Sequence, residues 1–539
     1  MKPIVVIQAR QSSNRLPNKV LLPINKLSII EIIYKRVQSN NYKTIVAISN
    51  DQTDDLLCSL LKSKKIPHFR GSLHNVKSRY LKICEKYSNK KVVVRLTADN
   101  IFPDKNLIKE MIVFFLKNKK DYLYINQKTN KIPYGLSVEM FNLGEIRKIR
   151  NNNIKDLEHV TYSIKRKNNE FAIKSNLRFK KKASIDNLED YFLIKNFFEK
   201  YNLQTSIHWK LLITKFHSFC NLYRPNKIKN KSLASKIIIG GAQIGNLYGI
   251  NNKSKMDYDD IKKLSGFTKM AGIYGIDTAR DYPNSEKLIG KYFSNNKNLN
   301  IFTKLSNKID NLKADGQINN FLKNSINKSL QNLKPFKIQC LYVHNLSNDV
   351  ALNLKIFKNL FFLKNKYKIH KIGLSITNLK DIDFIVNSKL QKYIDIVQLP
   401  YSFVDQRLNQ KNTNVLKKYK ITIIFRSIFL QGLIFLRNKK LWPDKIKKNY
   451  DIFFKKLNYT KNKLKIISTL ELALLYMFSK NMNNKILVGV NSFSQFTEIY
   501  SLLFRRKLTK KEINFVEKQF KTFNEHEVFL NPSLWQKIY

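Results

Sequence analysis

Short apolar runs alternate with amphipathic stretches along most of the chain. Val5-Val6-Ile7, Thr44–Ile48, Pro67–Phe69 and Val92–Leu96 are brief and largely apolar, which predicts strands. Between and after them, Ile29–Val37, Asp54–Lys62, Val76–Tyr87 and Asn106–Leu116 carry apolar residues at helical spacing. Strands alternating with ten-residue helices predict a parallel, doubly wound α/β sheet for residues 1–220. Residues 221–235 (NLYRPNKIKNKSLAS) are polar and basic, and are expected to be a linker. From Lys236 the alternation restarts. Strand candidates are Ile237–Ile239, Gly275–Asp277, Asn300–Thr303, Gln339–Val343, Lys371–Ile376, Ile394–Leu399, Ile421–Arg426 and Ile486–Val490. Eight βα-type units predict a (β/α)8 barrel over residues 236–539. In both architectures ligands bind beyond the carboxyl ends of the strands.

Composition changes this picture little. The 99 Lys and Arg against 39 Asp and Glu leave a net charge of +60. The cations are mostly lysine and lie along the whole chain. Asn and Ile are also abundant, and Gly (15) and Pro (12) are scarce. That is the residue usage of AT-rich coding. Diffuse lysine without an aromatic-interleaved basic patch argues against a specific nucleic-acid partner, although the positive field still attracts nucleotides and phosphates. No apolar run reaches the roughly 18 residues of a membrane helix, so no membrane insertion is expected. The N-terminus does not read as a signal peptide. The four cysteines, Cys58, Cys84, Cys220 and Cys340, form no C-x-x-C pair. A reduced, cytoplasmic protein without a cysteine zinc site is expected.

The stretch QARQSSNRLPNK (Gln8–Lys19) follows the first strand directly. It packs Arg10, Arg15 and Lys19 into one turn-prone loop whose amides suit an anion nest. Arginine offers phosphate a fork of donors, and lysine a point charge. In a lysine-rich chain three cations also fit a solvated loop, so other residues must decide. RLTADNIFPD (Arg95–Asp104) puts Asp99 beyond the fourth strand, and SIDNLEDY (Ser184–Tyr191) puts Asp186 at the end of another strand. Either aspartate alone fits a turn or cap. Brought to one sheet edge, the two suit Mg2+, which takes a few oxygens and keeps waters and substrate phosphates.

The run IQARQSSNRLPNKVLLPI resembles the opening of the sugar-activating cytidylyltransferases, which include the CMP-sugar-acid synthetases and spore-coat polysaccharide cytidylyltransferase-like proteins. The resemblance continues to about residue 200 through FRGSLHNVKSRY (69–80), VVVRLTADN, YGLSVEMF (134–141), EHVTYSI (158–164) and SIDNLEDY. It implies a Rossmann-like nucleotidyltransferase domain. There a sugar hydroxyl or hydroxy acid attacks the α-phosphate of the substrate CTP, and pyrophosphate leaves. By resemblance, Arg10, Arg15 and Lys19 bind the triphosphate, and Asp99 and Asp186 hold Mg2+ against the charge developed in transfer. Ser12, Asn18 and Ala98 stand where the family has glycine; of these, Asn18 adopts positive φ most readily.

The second half places one titratable group at each of several successive strand ends. Asp277 ends the second strand and Tyr282 lies in the next loop; Lys304 ends the third strand and His344 the fourth. Each alone reads as an ordinary surface or core residue. Together they point into one site. Reducing a carbonyl needs a hydride and a proton, and tyrosine is too weak an acid at neutral pH unless a neighbouring ammonium lowers its pKa. An aspartate would keep that lysine charged, and a histidine would orient the carbonyl oxygen.

This set resembles the tetrad of the aldo/keto reductases. Residues 236–539 resemble that family through GGAQIGNLYGI (240–250), IGLS (372–375), DIVQLPYSFVDQR (395–407), FRSIFLQGL (425–433) and ILVGVNSFSQFTEI (486–499). The resemblance implies that Tyr282 is the acid, that Lys304 and Asp277 tune it, and that His344 orients the substrate. It implies NADP or NAD as cofactor. Ser375 and Gln398 would contact the nicotinamide amide, with Ile376 standing where the family often has Asn. Ser427, Leu430, Gly432, Gly489, Gln495 and Glu498 would line the dinucleotide. Arg426 and Arg407 are candidates for an anionic substrate or the cofactor phosphates. The expected whole is a bifunctional enzyme of surface-sugar biosynthesis, acting on small-molecule sugars and nucleotides, with a homodimer admitted. The alternative is an active reductase carrying a nucleotide-binding domain without catalysis.

Overall fold

The apolar run Ile4–Gln8 forms strand β1 and is almost wholly buried. In the computed structural model all residues are described except 1, 150–156, 158, 165–168, 174, 176, 180, 223–232, 251–254, 309–313, 467, 481–483, 504–505 and 536–539. Most of the expected linker 221–235, and Glu158 of the 158–164 motif, therefore lie outside the described residues. The chain divides into two compact units, Met1–Lys227 and Ile228–Tyr539.

In the first unit, β2 (Pro23–Ile24) and β3 (Leu27–Ser28) make a small ribbon. The main sheet runs β5 (His68–Gly71), β4 (Lys43–Ser49), β1, β6 (Val92–Thr97), β8 (Glu139–Asn142), β7 (Tyr122–Tyr124). The first four are parallel. β8 runs antiparallel to β6 and β7, so the sheet is mixed rather than parallel throughout. Its apolar face gathers Ile4, Val6, Ile45, Ala47, Val93 and Phe141 over Tyr80 and Val76. Helix Ile29–Val37 starts where the sequence predicts, at a Ser28–Glu31 capping box that satisfies two otherwise orphaned amides. One expectation is corrected: Asp186 ends no strand. Ser184 makes a single bridge to Asn100, and Asp186 precedes the helix Leu188–Lys200.

The second unit is a closed barrel of eight parallel strands. They are β9 (Ile237–Gly240), β10 (Gly275–Asp277), β11 (Asn300–Lys304), β12 (Ile338–Val343), β13 (Lys371–Ser375), β14 (Ile396–Pro400), β15 (Thr422–Arg426) and β16 (Lys485–Gly489). Closure pairs β16 with β9, from Ile486↔Ile237 to Gly489↔Gly240. Ile238, Phe302, Cys340, Tyr342, Ile396 and Ile424 fill the interior. Gly373 on β13 lets the Tyr342 ring lie against the strand, since a Cβ there would stand 2.3 Å from Tyr342 Cδ1. Among the described residues no helix is long and apolar enough to cross a membrane.

Candidate active sites

In the first unit the loop after β1 is fastened from below. The Gln11 amide nitrogen donates to Asn18 Oδ1 at 2.8 Å, and its oxygen accepts from Leu57 N at 2.7 Å. Gln11 N donates to Asp54 Oδ1 at 2.7 Å, and the other oxygen of that buried carboxylate takes Ser49 N and Oγ. Asn18 adopts φ 55, the left-handed conformation its family glycine would take. Neither Ser12 nor Ala98 has positive φ, so neither position strains a side chain. Sequence reasoning missed Gln11 and Asp54; the only signal was a polar residue in the motif that turns inward.

The segments that carry the two aspartates are joined through the backbone. Ile185 N donates to Asp99 O at 2.9 Å, which draws Asp186 to the edge beyond β6. Gly135, at φ +115, permits this: a Cβ there would lie 2.3 Å from Ser184 N. Lys19 Nζ lies against both segments, 3.3 Å from Asp99 Oδ2 and 2.8 Å from Ile185 O. Arg15 Nη2 donates to Asp186 Oδ1 and Lys182 Nζ to Asp186 Oδ2, each at 2.8 Å. Burial works against ionisation of Asp186, but Lys182 and Lys19 outweigh it and hold its carboxyl below the ordinary value. Arg10 is exposed on the same loop. Two carboxylates are hard oxygen donors and fit Mg2+ if substrate and water oxygens complete the set. Among the described residues no cluster of three or more acidic, His or Cys groups is suited to a metal.

In the barrel the four titratable residues come together at the carboxyl ends of β10, β11 and β12. Lys304 Nζ contacts Asp277 Oδ2 and donates to Thr278 O at 3.1 Å. Gln398 Nε2 holds the other Asp277 oxygen at 3.0 Å. Tyr282 is half-buried, its ring centroid 5.8 Å from Lys304 Nζ and 6.4 Å from the His344 ring. Its loop is pinned by Arg280, whose side chain pairs with the buried Glu286 and whose backbone N donates to Lys304 O at 3.0 Å.

Burial pushes the Tyr282 phenol above its ordinary value, Asp277 adds to this, and Arg426 opposes it. Burial, and next the Lys304 charge, push His344 down to about 4, so its imidazole is neutral at pH 7. His344 Nδ1 is buried without a hydrogen-bond partner.

These residues open on a cavity of about 710 Å³. Ser375, Gln398, Ser427, Gly432, Gly489, Gln495 and Glu498 line it; Leu430 is buried away from its wall. Ser427 (φ 57), Leu430 (φ 45), Gln431 (φ 51) and Gly432 (φ 96) put four left-handed residues in one short loop, the kind of strain that collects at ligand sites. Tyr248, 6.4 Å from Tyr282, and Arg437 and Lys461 on the same wall were not singled out from the sequence. Arg407 is not available to a ligand: its Nε and Nη2 clamp Asp405 at 2.9 and 2.7 Å.

Known proteins share both halves. A family model described as the aldo/keto reductase family matches residues 236–519, and one described as cytidylyltransferase matches residues 4–230. The chain is similar to the spore coat polysaccharide biosynthesis protein SpsF of Bacillus subtilis, 30% identical over 226 residues, 39% of this chain and 92% of that protein. It is similar to an uncharacterized protein of Methanocaldococcus jannaschii, 35% identical over 177 residues, 32% of this chain and 71% of that one. A 3-deoxy-manno-octulosonate cytidylyltransferase of Fusobacterium nucleatum is 27% identical over 125 residues, 22% of this chain and 48% of its own length. With a closed parallel barrel behind one match and a Rossmann-like sheet behind the other, the chain belongs to the aldo/keto reductase family through its second unit and to the cytidylyltransferases through its first.

Proposed function

We propose that the chain is a bifunctional enzyme. Its first unit would transfer CMP from CTP to a sugar or sugar acid, and its second would reduce a carbonyl, or run the reverse, with NADPH or NADH. The observation that carries the reductase half is the gathering of Asp277, Tyr282, Lys304 and His344 on one cavity wall. A reduced nicotinamide bound there supplies the hydride. Tyr282 Oη, kept protonated by burial, gives its proton to the carbonyl oxygen as negative charge develops on it. Neutral His344 fixes that oxygen, and the Lys304–Asp277 pair fixes the floor beneath the phenol. Ser375 and the Gln398 amide, anchored on Asp277, would position the nicotinamide amide. Arg437 and Lys461 have no ion-pair partner among the described residues and suit the cofactor phosphates; burial and Arg437 lower the Lys461 pKa.

In the first unit Arg10, Arg15 and Lys19 would hold the triphosphate, and Asp99 and Asp186 the Mg2+. Lys19 and Arg15 then leave the aspartates for phosphate oxygens. The likeness to the spore coat polysaccharide biosynthesis protein and to the octulosonate cytidylyltransferase supports a role in surface-sugar synthesis. A second reading, nucleotide binding without transfer, draws support from the cations already paired with Asp99 and Asp186. The test is thermal unfolding with each nucleoside triphosphate plus Mg2+, and with NADPH and NADH, alongside CTP-dependent pyrophosphate release. A ligand at a hundredfold excess over its Kd adds roughly 2.7 kcal/mol. Shifts with CTP alone among the triphosphates and with a nicotinamide cofactor support two sites. A CTP shift without pyrophosphate release under any sugar supports the second reading, and no nicotinamide shift refutes the reductase.

A further inference from the structure

Arg426 ends β15 and faces the barrel cavity. Among the described residues its hydrogen bonds go to neutral acceptors. Nη2 donates to Ile376 O at 2.8 Å and to Thr377 Oγ1 at 2.9 Å, and Nη1 to Ser427 Oγ at 3.0 Å. Nε is buried with no partner. The charged and titratable groups around it are Tyr248, Tyr282, Asp277 and Asp405, and it acts in turn on His344. Both carboxylates are already neutralised, Asp277 by Lys304 and Asp405 by Arg407. Tyr282 and His344 are uncharged at neutral pH. Among the described residues Arg426 forms no ion pair; Asp281, which also acts on Tyr282 and His344, accepts from Asn307 N at 3.0 Å and is not bonded to Arg426. A buried charge without a partner is costly to keep, and Nη1, with one donor on Ser427 Oγ, keeps a second for a carboxylate in a charge-assisted bond.

We infer that Arg426 binds a carboxylate carried by the carbonyl substrate, so that the barrel takes keto or aldehydo acids in preference to neutral carbonyl compounds of the same size. The inference rests on the reductase reading above. It assigns the cofactor phosphates to Arg437 and Lys461 and leaves Arg426 to the substrate. It also fits the first unit, whose proposed substrates include sugar acids.

The experiment compares 4-carboxybenzaldehyde with its neutral methyl ester as substrates of the full-length protein and of Arg426→Gln. Binding of NADPH and NADH to each is followed by cofactor fluorescence. The wild-type protein is expected to favour the acid at least tenfold in kcat/KM. Arg426→Gln should lower kcat/KM for the acid roughly ten- to a hundredfold, change the ester less than threefold, and bind the reduced cofactor as before. An acid-to-ester ratio unchanged in the variant, with both proteins active, overturns the inference and leaves the reductase reading standing. Loss of cofactor binding at an unchanged ratio also overturns it, because the anion is then a cofactor phosphate. A wild-type protein that binds neither cofactor and reduces neither probe refutes the reductase reading itself, and this inference with it. Should the glutamine variant not fold, Arg426→Lys keeps the charge and loses the fork. Its ratio should fall several-fold, and an unchanged ratio overturns the inference.

Discussion

Replacing Lys304 by Met tests whether the Lys304–Asp277 contact is a true buried charge pair. The two side chains are only 3% and 5% exposed. Without the ammonium, Asp277 keeps a single donor, Gln398 Nε2, for a carboxylate shut away from water. Breaking a buried pair by removing one partner costs about 3–5 kcal/mol. Asp277→Asn leaves the ammonium facing only Thr278 O, and part of its cost is relieved because a buried amine sheds its proton. The combined Lys304→Met, Asp277→Asn variant buries no charge and keeps the Gln398 contact. It should sit within about 2 kcal/mol of wild type, well short of the summed single effects. Urea unfolding of the full chain, with the barrel transition identified by its shift on cofactor addition, measures all four corners of the cycle. Additive single effects, or a Lys304→Met cost under about 1 kcal/mol, would refute the picture of a charge pair sealed beneath the phenol.

Three other outcomes follow from the same geometry. His344 is held at about 4 when folded, against an ordinary value of 6.5. Between those pH values the unfolded chain binds more protons, so stability is complete above pH 6.5 and falls as the pH drops towards 4, by up to about 3 kcal/mol; His344→Gln should flatten that slope in acid unfolding curves, and an unaltered slope counts against it. Tyr282→Phe removes the proton donor and should cut carbonyl reduction roughly 100- to 10,000-fold while nicotinamide binding, read by fluorescence, stays intact. Gly135→Ala drives a Cβ into the Ser184 backbone at a φ unsuited to alanine; it should weaken the CTP-induced thermal shift and spare the nicotinamide one.

Periodicity made most of the fold legible, because eight short β-branched runs separated by helical spacing admit few arrangements. Sequence reasoning was weakest where strands are too short to show a period. β7 has three residues and β8 four, and their antiparallel return beside β6 is set by partners. Asp186 ends no strand because Ser184 makes one isolated bridge to Asn100, too little structure to carry a period. Strand ends pointed to the tetrad, yet its electrostatics were hidden. Whether a tyrosine's pKa falls depends on everything around the phenol, and here burial and then Asp277 push it up. Arg407 and Arg426 look alike in sequence, and only the clamp on Asp405 separates them.

The pairing of β16 with β9 has a consequence for the order in which the chain acquires its structure. Lys485 Nζ reaches Ser235 O across 250 residues, so the barrel stays open until β16 has left the ribosome. The first unit has no such long wait, and a chain synthesised from its N-terminus completes that unit first. Until β16 arrives, β9 and β15 present unpaired parallel edges that invite association with other chains. Interrupted synthesis before Lys485 should therefore yield a folded nucleotidyltransferase unit tethered to an aggregation-prone half-barrel.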